Sequence, residues 1–119
     1  MKFQDNAQPI FMQIFDLICD KVLKGEIEPG GQITSVRELA VELEVNPNTV
    51  QRAIERLLMQ EIIYSQRGKG NFLTEGAREA IIELRTRRLL EEKLPLLAEE
   101  IKLLGFTPEH VAEELKKHI

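Results

Sequence analysis

Between Ser35 and Leu58 two amphipathic helical patterns follow one another, and only Glu44, Val45 and Asn46 turn the chain between them. In the first, Ser35 stands at an N-cap position with Glu38 three residues on, the spacing of a capping box. Val36, Leu39, Ala40 and Leu43 then share one face. In the second, VNPNTVQRAI, Asn46 is a strong N-cap because its side-chain oxygen accepts from first-turn N–H groups. Pro47 falls at the first helical position, where its missing N–H costs nothing. The second helix is predicted from Pro47 to about Gln60, with Val50, Ala53, Ile54, Leu57 and Leu58 on its inner side. Two short helices joined this tightly form a helix-turn-helix pattern and need a third element to close a core.

That element precedes them. Ile10, Phe11, Ile14, Phe15, Ile18, Val22 and Leu23 recur at three- and four-residue spacings, predicting a helix from about Pro9 to Lys24. Gly25 ends it and EIEPGGQI turns the chain. Cys19 flanks the apolar face and is expected to be buried and structural. After the helix pair, EIIYSQRGKGNFLTEG reads as a hairpin with strands at Ile62–Ser65 and Asn71–Thr74 around an RGKG tip. The glycines Gly68 and Gly70 supply the dihedrals a tight tip needs, and Arg67 and Lys69 are interleaved with them. A helix-turn-helix followed by a basic two-stranded hairpin is a winged helix. The expected fold class is mainly α with a small β-hairpin, followed by C-terminal helices.

The outward face of the second helix of the pair carries the chemistry. Asn48, Arg52 and Arg56 lie at i, i+4 and i+8, flanked by Thr49 and Gln51. Asparagine and arginine offer paired donors and acceptors that match adenine and guanine edges in a major groove. A helix N-terminus adds partial positive charge and N–H donors that suit phosphate. Arg67 and Lys69 on a glycine-rich tip suit a narrow, electronegative minor groove. Each feature has a plainer reading as a solvated surface charge; their convergence on one winged helix favours DNA. Ser35 is a structural cap first, with a phosphate contact as a secondary role.

The formal net charge of −4 argues against nucleic acid only as a sum. Residues 46–71 hold Arg52, Arg56, Arg67 and Lys69 against Glu55 and Glu61, a net of +2, whereas residues 1–45 hold four cations against eight carboxylates, a net of −4. The single cysteine excludes an internal disulfide and fits a reducing compartment. MKFQDNAQPIF has no apolar leader core, and no run approaches the roughly 20 apolar residues of a membrane span. The chain is expected in the cytoplasm. No phosphate loop or nucleophile elbow is present, so no enzyme and no cofactor are expected. His110, Glu114 and His118 share one side of a helix, but three ligands so spaced reach too far for one ion, and no metal site is expected.

From Gly76 to Leu104 the chain reads as one long helix. Leu90, Leu94, Leu97, Ile101 and Leu104 follow a 4-3-4-3 spacing, an a/d seam. Pro95 is expected to kink or break it near Glu91. Gly105 ends it, Thr107 and Pro108 start a last helix, and Val111, Leu115 and Ile119 form its inner face. Two short helices cannot bury these side chains alone, so a second copy of the chain is the expected partner. Packing against the chain's own winged helix is the alternative. The organisation expected is a DNA-binding domain at 1–75 and a helical dimerisation tail at 76–119. The 43 residues after Gly76 are little material to enclose a ligand cavity of about 300 Å³ or more. Any effector is expected at the dimer interface or the domain junction.

SVRELAVELEVNPNTVQRAIERL followed by QRGKGNFL resembles the DNA-binding domain of the GntR family of bacterial transcription regulators, as does the opening QPIFMQIFDLICDKVLKGEI. VNPNTV and the short tail resemble its YtrA-like subfamily. The resemblance covers residues 8–75 and, more loosely, the whole chain. It implies operator binding as a dimer, base or phosphate contacts from Arg37, Thr49 and Arg52, and a wing tip in the minor groove. It also implies a regulator without the separate effector domain of larger members. Two positions depart from the family pattern: Thr34 stands where proline usually precedes the capping serine, and Glu61 where glycine usually follows the recognition helix. Glu61 is expected to end that helix differently and to reorient the wing.

The leading expectation is therefore a homodimeric regulator, of the kind most often a repressor, reading an inverted repeat in double-stranded DNA. The competing one is a winged helix that has exchanged DNA for a protein partner, which the pI of 5.3 permits and the retained Arg52, Arg67 and Lys69 argue against.

Overall fold

The computed structural model describes residues 8–119. The first seven residues, with the start of the expected 1–75 domain and most of the segment read for a leader, lie outside the described residues. The chain divides into two compact units, the first ending at Ile82 and the second spanning Glu83–Ile119.

The first unit is built from α1 (Ile10–Leu23), α2 (Val36–Leu43), α3 (Pro47–Met59), β1 (Ile63–Gln66), β2 (Gly70–Leu73) and the start of α4 (Ala77–Arg88). The three helices bury the faces their spacing marks: Ile14, Phe15, Ile18, Cys19 and Val22 from α1, Leu39, Ala40 and Leu43 from α2, and Val50, Ala53, Ile54 and Leu57 from α3. Each fully buried leucine or isoleucine here is worth about 1.5–3 kcal/mol relative to exposure. Ile10, expected on the apolar face of α1, is 41% exposed, and Leu58 is only half-buried. Ala77 and Ile81 are completely buried, so the first turns of α4 belong to this core. Arg78 strengthens that attachment: its Nη1 donates to the Leu23 carbonyl at 2.7 Å, a cation at the C-terminal end of α1.

The hairpin strands are antiparallel, with Ile63 opposite Leu73 and Gln66 opposite Gly70. Each strand lies one residue away from its expected place. The tip closes through Lys69 N–H to the Gln66 carbonyl at 2.9 Å, with Gly68 at φ +78, as the third residue of a type II turn requires. The turn after α1 supports the other edge of β2. Gly30 N–H donates to the Leu73 carbonyl, Leu73 N–H to the Gly31 carbonyl and Ile33 N–H to the Asn71 carbonyl, at 2.8–2.9 Å. Strand β2 is thus paired on both edges, by β1 and by this turn, which the sequence patterns did not anticipate.

Glu61 corrects an expectation. It takes φ +58, the left-handed conformation glycine adopts there, and Ile62 N–H reaches the Leu57 carbonyl at 3.0 Å. Helix α3 therefore ends as a glycine would end it, in a Schellman closure, at a backbone cost of about 1–2 kcal/mol for a residue with a Cβ. Burial of Ile62 and Ile63 immediately afterwards supplies the compensation. Glu44 does the same at the end of α2, with φ +55 and ψ +47.

In the second unit α4 runs into a π-helical stretch, Leu89–Lys93, then α5 (Leu94–Leu104) and α6 (Pro108–Lys116). Pro95 does not break the helix. It has no N–H for the Glu91 carbonyl and its ring crowds that carbonyl. The backbone widens by one residue ahead of it, and Leu94 N–H bonds to the Leu89 carbonyl, five residues back. Gly105 terminates α5 at φ +79, and the Thr107 hydroxyl accepts from His110 N–H at 3.1 Å to start α6. An open apolar cleft of about 600 Å³ lies between α5 and α6, lined by Leu94, Leu97, Ile101, Phe106, Val111 and Leu115 among others. Ile119, expected on the inner face of α6, lies past its end and is 95% exposed.

Candidate nucleic-acid interface

The start of α3 is organised by its cap. Asn46 Oδ1 accepts from Asn48 N–H at 2.8 Å, Pro47 has no N–H, and Thr49 and Val50 N–H both point to the Asn46 carbonyl at 2.9 and 3.2 Å. The bare N–H donors expected at this helix end are therefore already occupied. What α3 presents is side chains: Asn48, Gln51 and Arg52 are exposed, and Thr49 and Arg56 are half-buried. Gln51 leans toward Glu55 at 3.5 Å, the limit of a hydrogen bond, and is readily released.

On α2, the Ser35 hydroxyl accepts from Glu38 N–H at 3.2 Å and donates to Glu38 Oε1 at 3.0 Å. The capping box is thus closed through the hydroxyl rather than through the Ser35 backbone N–H. Thr34 does not disturb it. Arg37, one residue into α2, is exposed, as are Arg67, Gly68, Lys69 and Gly70 at the wing tip. Among the described residues no ion pair engages Arg37, Arg52, Arg56, Arg67 or Lys69. A cation without an internal counter-charge keeps its full attraction for an external anion.

Two contributors were missed by sequence reasoning. The guanidinium carbon of Arg52 lies 4.2 Å from the centroid of the Phe11 ring. Phe11 belongs to the α1 pattern by spacing, and spacing does not distinguish a ring covered by aliphatic core from one covered by a guanidinium. Gln32 Nε2 donates to the Lys69 carbonyl at 2.9 Å, fixing the wing tip from the side. A Cβ at Gly70 would stand 2.9 Å from the same nitrogen, so the glycine there also makes room for the brace. Gln32 sits in a glycine-rich turn where no periodicity signals a role. Tyr64 and Phe72, cross-strand partners, stack at 5.8 Å on one face of the wing.

The seam residues form a separate set. Leu90, Leu94, Leu97, Leu104 and Leu115 are each roughly half exposed, while Ile101 and Val111 are less so. The His110 ring packs beside Phe106 at 5.2 Å. No helix of the described residues is long and apolar enough to cross a membrane.

Known proteins share this arrangement. The family model described as bacterial regulatory proteins, gntR family, matches residues 12–73, from the first helix through the wing. The HTH-type transcriptional regulator YhcF of Bacillus subtilis is 37% identical over 111 residues, covering 93% of this chain and 90% of that protein. The HTH-type transcriptional repressor YtrA of the same organism is 33% identical over 112 residues, 94% and 80% of the two chains. A GntR family transcriptional regulator from Listeria monocytogenes superposes with a TM-score of 0.79 at 38% identity, covering 96% of this chain and 98% of its own. The AraR DNA-binding domain, solved in complex with operator ORR3, superposes at 0.56 with 27% identity over 62% of this chain and 89% of that domain. With the helix pair, the braced wing and the basic side chains on one unit, the chain belongs to the GntR family: it is a winged-helix, DNA-binding transcriptional regulator similar to YtrA, and not an enzyme.

Proposed function

We propose that the protein is a cytoplasmic repressor that binds an inverted-repeat operator as a homodimer. In this reading residues 1–75 bind DNA and residues 76–119 join the two copies through Leu90, Leu94, Leu97, Ile101, Leu104, Val111 and Leu115. The observation that carries the reading is the outer face of α3. Asn48, Thr49 and Arg52 are left over once Val50, Ala53, Ile54 and Leu57 have filled the core. The N-terminal half of α3 enters the major groove, where Asn48, Thr49, Gln51 and Arg52 reach base edges or nearby phosphates. Arg56 and Arg37 neutralise phosphates, Ser35 adds a hydroxyl beside them, and the tip Arg67-Gly68-Lys69-Gly70 follows the minor groove. The operator complex of AraR supports the mode of binding, and the relatives named as repressors support the sign. A two-fold dimer reads a two-fold sequence, with half-sites set by the distance between recognition helices.

The test is competition binding against a duplex selected in vitro and its point mutants. Arg52→Ala leaves the circular dichroism unchanged, costs roughly 1–3 kcal/mol of binding and relaxes one position per half-site. Lys69→Ala weakens all duplexes evenly. The slope of log K against log salt is about −0.9 for each phosphate neutralised, so it is steep in the wild type and shallower by about one such step in Lys69→Ala. An Arg52→Ala chain that binds every duplex as the wild type does would reduce the polar start of α3 to a cap.

A further inference from the structure

Arg52 does not stand free in solvent. Its guanidinium lies over the ring of Phe11, 4.2 Å from the centroid, joining the first turn of α1 to the outer face of α3. A ring attracts a guanidinium through its negative face. Among the described residues no hydrogen bond engages Arg52, so its N–H groups, at the edge of the guanidinium plane, stay unspent. Those edge donors are the ones a bidentate contact to guanine O6 and N7 requires. Phe11 is half-buried, unlike Ile14, Phe15 and Ile18, which are 0–3% exposed, so its ring keeps a surface open to a side chain from α3. Among the described residues no carboxylate competes for Arg52.

We infer that Phe11 is a positioning residue for Arg52, holding the guanidinium ready so that it presents its edge to a guanine, and that Phe11 thereby sets selectivity at the base pair Arg52 reads. The inference rests on the recognition-helix reading above. A free arginine carries about 2 kcal/mol of rotamer entropy, which a base contact must remove. A side chain already held on a ring has lost part of it before DNA arrives. Leucine at position 11 fills similar space without the quadrupole, and tyrosine restores the ring.

The experiment uses the full chain and a fluorescent duplex recovered by in-vitro selection with the wild type, together with its single-base variants. Four proteins are compared with wild type: Phe11→Leu, Phe11→Tyr, Arg52→Ala and the Phe11→Leu/Arg52→Ala double variant, with thermal melting by circular dichroism as the folding control. Phe11→Leu is expected to bind about three- to tenfold more weakly, with Phe11→Tyr within about twofold of wild type. Phe11→Leu also loses discrimination at the same base pair as Arg52→Ala. The double variant binds no more weakly than Arg52→Ala alone, because Phe11 acts only through the arginine. If Arg52→Ala is weakened and Phe11→Leu is not, the positioning role is overturned while the recognition helix stands. Additive losses in the double variant overturn it as well, since the ring would then act on DNA or on packing by itself. Wild-type binding by Arg52→Ala removes both readings together.

Discussion

The two units of this chain spend their apolar residues differently. Every buried apolar residue among the described ones, from Ile14 to Ile81, lies in the first unit. In the second, α5 and α6 have no buried residue, and Leu97 and Leu104 remain 47% and 60% exposed. Yet five of the eleven residues of α5 are leucine, a larger share than in α1, α2 or α3. The difference is one of geometry. Three helices crossed by a hairpin enclose a volume, whereas a helix and a short return helix leave an open cleft. Apolar area uncovered in one chain stays a driving force for association, at about 25 cal/mol per Å² before the costs of binding.

The sharpest way to break this contrast is to charge the second unit. Leu97→Asp with Ile101→Asp is expected to yield a monomer by light scattering at micromolar concentration. Affinity for an inverted-repeat duplex then falls by about 10²–10⁴, because the second half-site contact loses its tether. A double variant that stays dimeric would place the assembly surface elsewhere.

Core truncation separates the units next. Leu57→Ala and Ile81→Ala are each expected to cost about 2–5 kcal/mol in denaturant unfolding, whatever the protein concentration. Leu104→Ala is expected to shift the dimer dissociation constant and to leave the melting of the winged helix in place. Ile81 carries particular weight, since it tests whether the beginning of α4 is held by the first core.

Smaller effects probe the caps that shape the first unit. Asn46→Ala is expected to lose about 1 kcal/mol with the hydrogen bond to Asn48 N–H. Glu61→Gly moves the other way, gaining about 1 kcal/mol as the strain at φ +58 is relieved, seen as a rise in Tm. A fall in Tm would mean that Glu61 contributes a contact outweighing its backbone strain. The smallest expected change in stability is Gln32→Ala, below about 1 kcal/mol for an exposed hydrogen bond. Its visible effect is a sequence-independent loss of DNA affinity through a looser wing.

What the residues alone determined was local. Caps at Ser35, Asn46 and Thr107, the inner faces of three helices, the glycine-rich tip and the leucine spacing are all written within a few positions of where they act, because helix and turn preferences depend on near neighbours. The winged helix and its exposed polar face followed from them. Tertiary structure decided whatever joins distant segments. Arg52 meets Phe11 across 41 positions (52 less 11) and Gln32 meets Lys69 across 37, and no periodicity encodes either contact. Pro95 was resolved by widening a helix rather than ending it, and Glu61 by taking glycine's conformation. At Pro95, where no residue from Leu89 to Leu104 is buried, the bond from Leu94 N–H to the Leu89 carbonyl keeps the helix continuous locally. At Glu61 the burial of Ile62 and Ile63 outweighs the local preference lost, and that balance is struck only when the first core has packed.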